Sequence, residues 1–178
     1  MKGVAKIGKR ALLIIDMLND FILPGSPLEV PQARSIIPHI KRELNNARRE
    51  GIPVIYLCDQ HQADDPEFQV WPPHAVKGTE GAEVVSELKP QPRDHIIVKT
   101  SYSGFFETEL DSLLRRLGVN ELILTGVVTN ICILYTGADA YMRGYRVSVS
   151  EEQVAALDEE NHRFALRQLR EILKPKVR

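Results

Sequence analysis

The stretch Ala11-Leu12-Leu13-Ile14-Ile15 is apolar at every position and stops abruptly at Asp16. A strand with one wet face alternates apolar and polar residues, so an unbroken run of this kind demands cover on both faces, as in the inner strands of a parallel sheet. Similar short runs recur along the chain. Val54 to Leu57 leads through Cys58 to Asp59, Ile96-Ile97-Val98 stops at Lys99, Leu122-Ile123-Leu124 precedes the turn Thr125 to Asn130, and Val147 to Val149 offers a fifth.

Helical periodicity fills the intervals. Ile36, Ile37, Ile40, Leu44 and Ala47 follow Ser35 as a possible N-cap, with Pro38 tolerated in the first turn and Gly51 as the stop. Thr108 caps a helix bearing Leu110, Leu113, Leu114 and Leu117 that Gly118 ends. A helix of about 14 residues runs from Asn130 to Gly144, and the last begins near Asp158 with Ala165, Leu169 and Ile172 on its inner face. The segment 80–88 suits a short helix. Residues 60–79, interrupted by Pro66, Pro72, Pro73 and Gly78, form a loop, and so long an irregular stretch is more often functional than idle.

Strands alternating with helices, without internal repeat, imply right-handed crossovers and a three-layer α/β/α fold with a doubly wound, mainly parallel sheet of five or six strands. The sixth is in question because the chain stops soon after Pro175. A length of 178 residues at 43% hydrophobic content suits a single domain spanning 1–178. The net charge of −1, with acids and bases interspersed, offers no basic face for nucleic acid. Met1 to Arg10 carries four basic residues but leads into an apolar run too short for a secretory segment or a membrane span, which reads as a cytoplasmic protein without a membrane partner. The two cysteines, Cys58 and Cys132, fall in different elements, so no disulfide is expected.

In open α/β sheets, ligands bind beyond the carboxyl ends of the strands, where strand order reverses. Asp16, Asp59 and Lys99 close the first three strands, and Cys132 opens the helix after the fourth. With order 3-2-1-4-5, Asp16 and Cys132 face one crevice. Taken singly, each has an ordinary explanation: a strand-end Asp is usually a turn former, a strand-end Lys is solvated, and a lone Cys is a small buried hydrophobe. Together they form a chemical set. At a helix start, free amides and the helix dipole favour a Cys132 thiolate and could hold an oxyanion. Asp16 could move the proton, and Lys99 could orient the carboxylate and stabilise charge. Cys58, continuing an apolar strand, reads as structural.

The loop holds Asp59-Gln60-His61, Glu67 and Trp71-Pro72-Pro73-His74. Two imidazoles and two carboxylates within it could bind zinc, iron or manganese. The spacing equally suits a polar, hydrogen-bonded loop. His39, His95 and His162 show no such grouping.

These residues stand in motifs that resemble the isochorismatase-like cysteine hydrolases, and within them the nicotinamidases. The resemblance runs from about residue 10 to about residue 170. Leu-Ile-Ile-Asp-Met-Leu-Asn-Asp-Phe at 13–21 resembles the family's first motif, implying Asp16 as catalytic acid/base. Ile-Val-Lys-Thr-Ser-Tyr-Ser-Gly-Phe at 97–105 resembles the segment carrying the catalytic lysine, here Lys99. Leu-Thr-Gly-Val-Val-Thr-Asn-Ile-Cys at 124–132 resembles the nucleophile turn. By the same resemblance the Val127–Val128 peptide is cis, and the amides of Val128 and Cys132 form the oxyanion hole. Asp59, His61 and His74 become metal ligands, with Glu67 matching a carboxylate ligand of some members. Phe21, Trp71 and Tyr102 line the substrate pocket. Leu18 departs from the family, where many members carry Gln.

The resemblance implies hydrolysis of nicotinamide to nicotinate and ammonia through a cysteine thioester. It also implies a divalent metal, zinc first with iron or manganese next, and a homo-oligomer, dimer or tetramer. Two other readings remain at this point: an amidase of the same superfamily acting on carbamoyl or ureido compounds, such as one like N-carbamoylsarcosine amidase, and a non-catalytic metal-binding module. A mechanistic variant would use His61 or His74 as the base.

Overall fold

The computed structural model describes residues 9–173. Lys2, Lys6 and Pro175, on which the readings of a basic N-terminus and a sixth strand partly rest, lie outside them. Five strands, β1 (Arg10–Ile15), β2 (Val54–Asp59), β3 (His95–Lys99), β4 (Glu121–Val127) and β5 (Arg146–Ala155), form one parallel sheet in the order β3-β2-β1-β4-β5. The uniform run in β1 is explained by its central place. Leu12 and Ile14 pack into the core on one face with Tyr56 and α2 (Ala33–Glu50), following the short α1 (Asn19–Ile22). Ala11, Leu13 and Ile15 pack on the other face with Leu57 and with α3 (Leu110–Arg116), α4 (Leu134–Met142) and α5 (Glu159–Glu171). Fully burying each such Leu or Ile stabilises the fold by about 1.5–3 kcal/mol. Among the described residues no helix is long and apolar enough to cross a membrane.

Several local expectations are corrected. Helix α2 begins at Ala33, so Ser35 is not its N-cap; the Ser35 hydroxyl instead donates to the Gln32 carbonyl at 2.7 Å. Pro38 consequently sits in the second turn. It is exposed, so the carbonyl it leaves without an amide donor can be hydrated. Segment 80–88 is two single turns, Glu80–Ala82 and Ser86–Leu88, because Val84 between them bridges back to Leu18. Ile172 is 60% exposed beyond the end of α5, whose inner face is His162, Ala165, Leu166 and Leu169. Asp158 does cap that helix, accepting from the Asn161 amide at 2.8 Å.

At the sheet centre β1 and β4 lie side by side, Ile15 opposite Gly126. A Cβ at Gly126 would collide with the Ile15 carbonyl, and its φ of +112° suits only glycine. Just beyond, the chain leaves β1 as Asp16 and leaves β4 through a cis Val127–Val128 peptide, as the resemblance implied. The next turn, Thr129–Ile133, is π-helical rather than the first turn of an α-helix, and it carries Cys132 into the crevice.

Candidate active site and metal centre

Asp16, Asp59, Lys99 and Cys132 converge at the carboxyl ends of the strands, all buried. Ladder register places Asp59 opposite Lys99, and the long lysine side chain reaches across β2. Its Nζ lies 2.8 Å from Asp16 Oδ2, 2.7 Å from Asp59 Oδ1 and 3.6 Å from Cys132 Sγ. Asp16 Oδ1 accepts the Asp59 amide at 2.8 Å. Asp16 Oδ2 has Lys99 beside it but no donor in hydrogen-bonding alignment, so it keeps a lone pair for a proton.

Two carboxylates and a thiol share one buried ammonium, and their acidities separate accordingly. Burial raises the Asp16 carboxyl to about 6 against the pull of Lys99. Burial works the same way on Asp59, but Lys99 and the two imidazoles outweigh it and hold that carboxyl well below the usual range. Burial alone would lower Lys99; the two carboxylates reverse this and raise it well above its ordinary value. The Cys132 thiol is raised well above its ordinary value, chiefly by burial, with Lys99 opposing. The helix-start preference for a Cys132 thiolate meets an opposing effect here: desolvation of the sulfur favours the thiol, while Lys99 pulls the other way.

The second half of the centre comes from the loop. One donor atom each from Asp59, His61 and His74 lies within 4.8 Å of the others. His61 Nδ1 donates to Asp65 at 3.0 Å and His74 Nδ1 to the Pro72 carbonyl at 2.8 Å. Both rings therefore turn Nε2 inward, 3.5 Å and 3.6 Å from Asp59 Oδ2. Ligands on tetrahedral zinc at bond lengths near 2 Å stand about 3.4 Å apart. His61 Nε2 is buried without a hydrogen-bond partner, a costly arrangement for an imidazole unless a cation takes its lone pair. The residues fit a divalent metal. Glu67 falls outside this trio; half-buried, it groups with His61 and Asp65 and lines the cleft.

Phe21, Trp71 and Tyr102, the three pocket residues that the resemblance implies, line that cleft together with Asp59, His74, Val128 and Cys132. Trp71 Nε1 donates to the Tyr102 hydroxyl at 3.2 Å, and Phe21 meets His74 edge-on at 5.5 Å. Leu28, Ile131 and Leu157 also line it; as ordinary apolar residues they bore no mark in the sequence. Thr129 and His162 were also passed over. They hydrogen-bond at 3.0 Å behind the Cys132 turn, and only the position of His162 on the apolar stripe of α5 hinted at burial. Neither loop imidazole pairs with Cys132; both face Asp59.

A thiol, a carboxylate and an ammonium gather where a 3-2-1-4-5 sheet reverses, and residues 10–175, which carry them, match the isochorismatase domain. The chain belongs to the isochorismatase family of hydrolases. Among solved structures, the nicotinamidase/pyrazinamidase PncA of Bacillus subtilis is 34% identical with a TM-score of 0.91, covering 95% of this chain and 98% of that one. The N-carbamoylsarcosine amidase of Thermoplasma acidophilum is 36% identical with a TM-score of 0.87, covering 96% and 95%. The pyrazinamidase of Pyrococcus horikoshii, solved in complex with zinc, is 30% identical with a TM-score of 0.90, covering 96% and 98%.

Proposed function

We propose that this single-domain chain is a nicotinamidase, hydrolysing nicotinamide to nicotinate and ammonia with Cys132 as nucleophile. The observation that carries the reading is that one narrow aromatic cleft is lined by both Cys132 and the metal-competent Asp59 and His74. When bound, a divalent metal there supplies a Lewis acid that can accept a pyridine nitrogen.

The protein's own groups then divide the chemistry. Asp16 Oδ2 takes the thiol proton as Cys132 Sγ attacks the carboxamide carbon, and the amides of Val128 and Cys132 receive the oxyanion. Collapse breaks the C–N bond, and Asp16 returns the proton to the departing ammonia. Water then gives a proton to Asp16 and attacks the thioester. Release of nicotinate breaks the C–S bond, and Asp16 reprotonates the sulfur. Lys99 holds Asp16 in line and offsets negative charge throughout.

Substrate charge separates this reading from its nearest rival. Ureido and carbamoyl acids carry a carboxylate, and a desolvated carboxylate needs a cation. No Lys or Arg lines the cleft among the described residues, whereas Asp59 and Glu67 do, and Lys99 is committed to Asp16 and Asp59. A neutral aromatic amide fits this wall better than an acid. The test is ammonia release from nicotinamide and from a ureido acid by metal-loaded protein and by its Cys132→Ala variant. Turnover of nicotinamide that vanishes in the variant is expected. Turnover of the ureido acid alone would transfer the assignment to the rival, and turnover of neither, across a panel of amides, would favour a non-catalytic metal-binding module.

A further inference from the structure

The backbone around the two histidines is held by a residue that the proposed chemistry does not use. Ala75, immediately after His74, is fully buried and adopts φ +44°, a conformation unfavourable for a residue with a Cβ. Its amide donates to Asp20 Oδ2 at 2.8 Å. Its carbonyl accepts the His61 amide at 3.0 Å, and the His61 carbonyl in turn accepts the Lys77 amide at 2.9 Å. The backbone of one residue therefore ties both imidazole-bearing segments together: its carbonyl holds His61, and its amide, following His74, is gripped by one carboxylate. Gly81 completes the arrangement: a Cβ there would overlap the Asp20 carboxylate. Next to it, Asn19 Nδ2 donates to the Glu80 carbonyl at 2.7 Å, fastening the same stretch to the turn after β1.

We propose that Asp20 is a positioning residue for the metal centre, acting through the Ala75 peptide to set the spacing of His61 and His74. The inference rests on the reading of Asp59, His61 and His74 as ligands. Asp20 touches none of the reacting atoms. It fixes the left-handed turn that aims His74 Nε2 at Asp59, while the Ala75 carbonyl keeps His61 in register with it.

The test uses cobalt(II) as probe, with affinity from chelator competition and geometry from the visible absorption of the bound ion, on full-length wild type, Asp20→Ala, Asp20→Asn, Gly81→Ala and the Asp20→Ala/Gly81→Ala pair. Asp20→Ala is expected to weaken cobalt binding about 10–100-fold and to change the spectrum. Asp20→Asn retains an acceptor oxygen and should restore most of the affinity. Gly81→Ala displaces the carboxylate and should weaken binding too, whereas the double variant should be no weaker than Asp20→Ala alone. Unchanged affinity and spectrum in Asp20→Ala, or Asp20→Asn no better than Asp20→Ala, would overturn the inference while leaving the metal reading intact. If Asp20→Ala does not fold, wild-type binding by Gly81→Ala would overturn it equally. A wild type that takes up no cobalt would overturn the metal reading and the inference with it.

Discussion

The two halves of the centre are built by different means. Asp16, Lys99 and Cys132 are delivered by the sheet: each follows or ends a strand whose register is fixed by a ladder, and the lysine spans the gap between them. His61 and His74 are delivered by an irregular loop. Side-chain anchors hold that loop, among them Asp65, which accepts from the His61 ring and caps the turn Pro66–Gln69, and Asp20 beneath Ala75. Among the described residues only Asp59 belongs to both halves, accepting from Lys99 on Oδ1 and turning Oδ2 to the imidazoles. Damage to the first half should therefore remove chemistry without disturbing metal uptake, and damage to the loop the reverse.

The sharpest division should come from Cys132→Ala and Asp16→Asn. Stopped or continuous ammonia assays are expected to show kcat falling by about 10⁴-fold or more in each, with metal content unchanged. Lys99→Met should break the comparison from the other side. It strands two buried carboxylates, so urea unfolding is expected to report a loss of about 3–5 kcal/mol together with the loss of turnover. Within the loop, Asp65→Ala removes the acceptor that orients His61 and should lower metal affinity about 10–100-fold, measured by chelator competition, while the alkylation rate of Cys132 stays at the wild-type value. The smallest effect belongs to Trp71→Phe. Losing the hydrogen bond to Tyr102 should raise KM by about 2–10-fold with kcat preserved.

What could be read from the chain follows the same division. Asp16, Asp59 and Lys99 were legible because an apolar run that stops on a charge marks a strand end, and strand ends in this topology converge. Strand order is not written in those runs; the ladders supply it, placing β1 between β2 and β4. The ends of helices were less legible, since Ala33 starts α2 without any capping side chain and Ser35 mimics a cap it does not provide. The sequence around Cys132 reports the helix start but not the depth of burial, which works against the thiolate. In the loop, residue types suggested ligands, yet nothing in the spacing separated His61 and His74 from Glu67. What the structure adds is that Asp65 and the Pro72 carbonyl engage Nδ1 of the two rings and so turn both Nε2 atoms toward Asp59.

The close approach of Gly126 to the Ile15 carbonyl carries a last consequence. The interval between the acid after one strand and the sulfur after the other is gauged by bare main chain meeting main chain, with no side chain interposed. Core residues elsewhere can be exchanged for others of similar bulk and the gauge will not move. A single methyl group at position 126 would prise the two apart, so the tolerance of the whole centre is concentrated in the one residue that has nothing to pack.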